Sequence, residues 1–156
     1  MTTPGRRTDM DARRPVRPVL SSPHPQREDA MAAHGSFTWN ELMTRDVEAA
    51  KRFYGDCLGW RWEPWPMDDG GTYWVAHNDA GAVGGLMDMS GDAFAALPPH
   101  WFAYIAVDDV DARVAKAIDT GGVVVRPPFD IPEVGRIGIV QDPTGAVVGW
   151  MTEVER

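Results

Sequence analysis

Residues 39–60 read WNELMTRDVEAAKRFYGDCLGW, and the order of local signals in this stretch decides the fold. Its first residues belong to an alternating run, Ser36–Thr44, which predicts an extended segment with Phe37, Trp39, Glu41 and Met43 on one face. Asp46 is placed to accept from the free amides of a helix that starts at Val47. The run VEAAKRFYGDCL has helical spacing at Val47, Ala50, Phe53, Tyr54 and Cys57. Gly59 then ends the helix, because glycine reaches the left-handed conformation without steric cost. A strand therefore feeds directly into a helix. Downstream, Trp60–Trp65 reads as a strand stopped by Pro64 and Pro66, and Asp69-Gly70-Gly71 as a turn. Thr72–His77 and Ala82–Met89 follow as strands on either side of the turn Asn78–Gly81.

The same order recurs after a linker, SGDAFAALPPH, that has room for one helical turn. Trp101–Val107 alternates as a strand, Asp109 caps a helix over Val110–Thr120, and Gly121-Gly122 ends it. Val123–Arg126 reads as a strand broken by Pro127-Pro128. Arg136–Val140 and Ala146–Thr152 are strands joined by the turn Asp142-Pro143-Thr144-Gly145. An offset of 63 residues lays Asp46 on Asp109, Val47 on Val110, Gly59 on Gly122 and Asp79 on Asp142. One extra residue in the second turn moves the offset to 64, which lays Gly81 on Gly145 and Gly85 on Gly149. Caps, stops and turns thus share one register, and the chain reads as two tandem β-α-β-β-β modules. Module one spans about residues 34–89, the linker 90–99, and module two about 100–156.

The paired modules, the strand-to-helix stretch of residues 39–60 and the closing DPTGAVVGW of residues 142–150 resemble the vicinal oxygen chelate superfamily. That superfamily includes glyoxalase I, extradiol dioxygenases, fosfomycin-resistance proteins and bleomycin-binding proteins. The resemblance covers about residues 34–155. It implies an α+β fold in which each module curls into half of an open, barrel-like sheet around a cavity. It also implies a small-molecule ligand in that cavity and a homodimer. Metal-dependent members take their ligands from the first and last strand of each module. Carried over residue by residue, those positions are Trp39 and Phe102, seven residues before each capping aspartate, together with Gly85 and Gly149. None of the four has a metal-donor side chain. A slip of one or two residues brings Glu41 or His100 into range, but no slip gives three good ligands. The expectation is a protein with no metal and no cofactor.

With aromatic rings at Trp39 and Phe102 and glycines at Gly85 and Gly149, the cavity is expected to sandwich a flat or apolar ligand. Trp74, Met87 and Met151 are expected walls, with Met151 on the face of Gly149. Glu41 lies on the face of Trp39, where poor solvation would raise its pKa and suit acid–base work. The competing reading pairs it with Arg45, Arg52 or backbone donors. Tyr104 is its repeat equivalent, with a hydroxyl able to orient a ligand oxygen or a proton. His77, at the end of a strand, completes the candidate catalytic set. Two functions follow. One is metal-free binding of a small apolar or aromatic metabolite or drug. The other is an enzyme on the same scaffold: a metal-free isomerase, cyclase or lyase using Glu41 and Tyr104, or a metal-dependent lyase or dioxygenase.

Composition sets the outer bounds. The chain has 156 residues and a net charge of −8, which disfavours nucleic-acid backbones. No apolar run is long enough to span a bilayer. Cys57, the sole cysteine, excludes an internal disulfide, points to a reducing cytoplasm, and is expected as a small buried hydrophobe. Seven tryptophans suggest that some line the cavity. Residues 1–33 hold five of the 13 prolines and six arginines, and read as a disordered basic tail. Arg6-Arg7 and Arg13-Arg14 lack a following apolar segment, which argues against a twin-arginine signal. Met31 is a second candidate start.

Overall fold

Each capping aspartate performs the same local task. Asp46 Oδ1 accepts from the Ala49 amide at 2.9 Å, and Asp109 Oδ1 accepts from Ala112 at 3.0 Å. Each follows a strand end, so each module turns from strand to helix at an aspartate. The structure is a computed structural model and describes residues 32–154. The expectations for the basic tail and for Met31 lie outside these residues, save at residues 32 and 33. The elements are β1 Phe37–Thr44, α1 Val47–Leu58, β2 Arg61–Pro66, β3 Thr72–Asn78 and β4 Gly81–Asp88, then β5 His100–Ala106, α2 Val110–Asp119, β6 Val123–Ile131, β7 Gly135–Gln141 and β8 Val147–Glu153. A short 3-10 turn, Asp92–Phe94, occupies the linker.

The strands form one sheet in the order β2-β3-β4-β1-β5-β8-β7-β6. β1 runs parallel to β4, and β5 runs parallel to β8. The modules meet where β1 pairs antiparallel with β5. The internal repeat is therefore a spatial one: Glu41 pairs with Gly85 in module one, and Tyr104 with Gly149 in module two. The sheet is open, with β2 and β6 at its edges.

Both edges run through prolines that the sequence suggested would stop them. β2 continues through Pro64 to Pro66, and β6 continues past Pro127-Pro128 to Ile131. An edge strand needs partners on only one side, so a missing amide is tolerated there and discourages pairing with another chain. In β6 the pair falls inside an irregularity between Arg126 and Phe129.

Both helices cover the same face. Trp74 pairs with Leu86, Leu86 with Leu42, and Leu42 with Trp101, so these four share a face. Lys51 Nζ of α1 lies 3.4 Å from the Trp74 ring centroid, and the Trp101 indole donates to the Tyr54 hydroxyl at 3.0 Å. On β5, Ile105 shares the parity of Trp101 and pairs with Trp150, which packs on the α2 core of Val107, Val110, Val114, Ala117 and Val140. Among the described residues the opposite face carries no helix. α1 is the looser cover: it buries no residue, whereas α2 buries Val110, Val114 and Ala117.

Three expectations change here. Trp74 is no cavity wall, because it lies on the helix side beneath Lys51. Cys57 is exposed, on a helix that buries nothing completely. Most tryptophans are used in packing the helices: Trp60 and Trp101 cluster around Tyr54, Trp62 donates to the Lys51 carbonyl, and Trp150 packs on the α2 core.

Candidate functional site

The helix-free face is centred on the β1–β5 seam. Strand alternation sends Trp39, Glu41 and Met43 of β1 to that face, beside His100, Phe102 and Tyr104 of β5. From the flanking strands come Gly85 and Met87 of β4, Tyr73 and Val75 of β3, and Gly149 and Met151 of β8. Met87 pairs with Met43, while Met151 is buried beside Ala106 and Ile137.

At the centre is a buried hydrogen-bonded chain. Glu41 is 7% exposed. Tyr104 donates to its Oε1 at 2.8 Å, and Tyr73 donates to its Oε2 at 3.0 Å. The Trp39 indole N–H donates in turn to the Tyr73 hydroxyl at 2.8 Å. Two glycines make the arrangement possible. A Cβ at Gly85 would overlap the Tyr73 hydroxyl, and a Cβ at Gly149 would overlap the Tyr104 ring. Each tyrosine thus lies against bare backbone, as only glycine permits.

Burial raises the Glu41 pKa, and the two tyrosine hydrogen bonds with the charge of His100 only partly oppose that rise. Burial, followed by the neighbouring Glu41 charge, also pushes both tyrosine pKa values upward. Tyr73 and Tyr104 therefore stay protonated and remain donors. Chemically, the centre is a carboxyl that holds a proton more readily than usual, gripped by two neutral hydroxyls.

The candidate residues are only partly brought together. Glu41, Tyr104 and Trp39 join one network, and Tyr73 completes it. The space that the sequence suggested Gly85 and Gly149 would leave for a ligand holds the two tyrosine rings. Trp39 and Phe102 do not form a sandwich; Phe102 meets Tyr104 edge-on at 5.1 Å and His100 at 6.3 Å, while Trp39 binds Tyr73. Arg45 does not pair with Glu41 but donates to the carbonyls of Phe94, Ala95 and Leu97. His77 stands apart on the outer strands, its Nε2 3.0 Å from Glu63 Oε2. His100 holds the Pro98 carbonyl through Nδ1 at 2.8 Å.

Tyr73 is the residue that sequence reasoning missed, although a signal for it existed. Trp74 and His77 have opposite parity on β3, so alternation cannot send both inward. The residues that share a face with His77 are Tyr73 and Val75, and only Tyr73 has a polar side chain.

Comparison with known proteins places this geometry. The family model described as Glyoxalase/Bleomycin resistance protein/Dioxygenase superfamily matches residues 35–149. "Putative glyoxylase CFP32" of Mycobacterium tuberculosis is 44% identical over 116 residues, covering 74% of this chain and 44% of that protein. Anthracycline biosynthesis protein DnrV of Streptomyces peucetius is 37% identical over 115 residues, covering 72% of this chain and 39% of that protein. The chain thus spans less than half the length of these curated relatives. Among solved structures, methylmalonyl-CoA epimerase from Mycobacterium tuberculosis superposes with a TM-score of 0.57 at 16% identity, covering 84% of this chain and 96% of that one.

Proposed function

Because this chain belongs to the Glyoxalase/Bleomycin resistance protein/Dioxygenase superfamily, we propose that it binds a small apolar or aromatic metabolite or drug on its helix-free face, without a metal. The observation that carries this reading is the Trp39–Tyr73–Glu41–Tyr104 chain, which occupies the centre of that face. The four positions that the resemblance gives to metal ligands hold Trp39, Gly85, Phe102 and Gly149. The carboxylate that lies beside them, Glu41, already accepts a hydroxyl on each oxygen. Among the described residues no group of three or more His, Cys, Asp or Glu converges. This donor set does not fit a divalent ion. Phe102 and Met87, both half-buried, offer apolar and deformable surface around the polar centre. A relative named for anthracycline biosynthesis supports a flat, fused-ring ligand.

A second reading rests on the raised Glu41 pKa. A carboxyl that titrates nearer neutrality beside a hydroxyl donor suits proton movement in a metal-free isomerisation, cyclisation or lyase step. His77 stands apart from that centre on the outer strands, its buried Nε2 near Glu63 Oε2 but without a hydrogen-bond partner. On either reading the protein works in the cytoplasm as a homodimer, with no nucleic acid or membrane as partner. The described helices include none long and apolar enough to cross a membrane.

Two measurements test this. Elemental mass spectrometry on protein purified without a tag or chelator is expected to show substoichiometric metal. A stoichiometric amount of Fe, Mn, Ni or Zn would overturn the metal-free reading. Glu41→Gln then separates the two functions. In a binder it leaves the affinity for a purely apolar ligand within a few-fold; in an enzyme it abolishes turnover.

A further inference from the structure

Six arginines fall among the described residues, and four of them have an acceptor. Arg45 holds loop carbonyls, Arg61 holds Asp79, and Arg113 and Arg136 hold Asp108 and Asp111. Arg52 stands on α1, away from the helix-free face. Arg126 is the remaining one, and the strand pairings carry it to that face. Arg126 pairs with Ile139, Ile139 with Gly149, and Gly149 with Tyr104. Its Cζ lies 3.5 Å from the Phe129 ring centroid. Asp130, next to Phe129 in the chain, pairs instead with Arg136 at 3.0 Å. Among the described residues Arg126 thus has an aromatic ring as its partner and no acceptor for its N–H groups.

Stacking on Phe129 decides how this guanidinium can act. One flat side is covered by the ring, while the N–H donors lie in the plane of the group and stay available at its edge. That rigid fork matches the two oxygens of a carboxylate. Three strand steps of about 4.8 Å put the Arg126 and Tyr104 backbones about 14 Å apart, an interval that two long side chains shorten from both ends. Burial and then Glu41 raise the Tyr104 pKa, and Arg126 is the one influence that lowers it, so its charge is felt at that ring. Glu41 is the carboxylate that would repel an anion here. The Tyr104 ring stands between the two charges: its hydroxyl turns to Glu41, and its Cδ1–Cε1 edge lies against Gly149 of β8. Beyond it Phe102 continues the aromatic surface edge-on at 5.1 Å, towards the seam of the modules. We propose that Arg126 is a carboxylate-binding residue of the helix-free face, and that the ligand is a flat aromatic acid whose carboxylate lies in the Arg126 fork while its ring rests along Tyr104 and Phe102. This rests on the binding reading above and adds an anionic group to the ligand class.

The experiment compares three probes built on one ring system: 2-naphthoate, 2-naphthamide and 2-naphthylmethylammonium. Isothermal titration calorimetry with the full chain at neutral pH reads their affinities, and the same titrations follow on Arg126→Gln. The expected order is acid, amide, ammonium, with the acid bound about fivefold or more tightly than the amide, as a bidentate pair at a partly exposed site is worth. In Arg126→Gln the naphthoate affinity should fall to that of the amide. Equal affinities for acid and amide in the wild type, or a preference for the ammonium, would overturn the carboxylate assignment while leaving the binding reading in place. An acid preference that survives in Arg126→Gln would likewise overturn it, since the anion would then be held elsewhere. Failure of all three to bind would overturn the binding reading and the assignment with it. Arg126 is exposed on an edge strand, and the wild-type comparison decides even if the variant does not fold.

Discussion

Glu41 is the residue at which burial and hydrogen bonding pull in opposite directions. Burial is the stronger influence and raises its pKa above the ordinary 4.5. The folded protein therefore keeps this proton to a higher pH than the unfolded chain does. Below 4.5 both states are protonated and the contribution of the group is fully present. As pH rises past that value the unfolded chain ionises first, and stability is lost until the folded pKa is passed. Three exposed aspartates slope the other way at lower pH. Asp108 and Asp111 are held below the usual range by Arg113 and Arg136, and Asp142 by Thr144. The difference between wild type and Glu41→Gln removes those shared slopes. Urea midpoints taken from about pH 4 to about pH 8 should show the wild type losing ground to the variant as pH rises. A flat difference would mean that Glu41 titrates normally and that its burial does not govern it.

At the scale of elements, the two helices are repeats in sequence but unequal in packing. α1 and α2 carry the same aspartate cap, yet α1 buries no residue and α2 buries three. Helix stability in proteins comes mostly from packing of the apolar face, so α1 depends more on its cap and on Lys51 over Trp74. Asp46→Ala and Asp109→Ala should each cost about 1 kcal/mol locally. The loss should appear differently, however. In Asp46→Ala, hydrogen exchange should quicken in α1 while the global urea midpoint barely moves. In Asp109→Ala, the midpoint itself should fall, because α2 is tied to the Val107–Val140 core. Equal midpoint losses would show that α1 unfolds only with the rest. These caps were fully legible in the sequence, as were the succession of all eight strands along the chain and the sequence repeat. Cap and turn signals are local and depend on neighbouring residues alone. The edge strands were cut short in that reading, since whether Pro64 or Pro127 is tolerated depends on having a partner on one side only, which is a property of the whole sheet.

At the scale of the molecule, the site was legible as a place and not as a shape. Alternation put Glu41, Tyr104, Gly85 and Gly149 on a common face. It did not reveal that Tyr73 of a flanking strand would fill the space over Gly85, nor that most tryptophans would pack the helices instead of a cavity. Those outcomes are set by contacts between distant strands. The same long-range arrangement has a consequence for ligand binding. Among the described residues β1 with β5 is the sole strand pairing between the modules, and Glu41 on β1 takes one bond from Tyr73 of module one and one from Tyr104 of module two. A ligand on this centre touches both halves at their seam, so it should stabilise them as a unit. At about a hundred times its Kd, it should add about 2.7 kcal/mol to unfolding. Hydrogen exchange with a saturating flat aromatic probe such as 1-naphthol should then show slowed amides on β4 and β8 alike, although neither strand belongs to the seam pair. Protection confined to one module would mean that the halves open independently and that the hydrogen-bonded chain does not couple them.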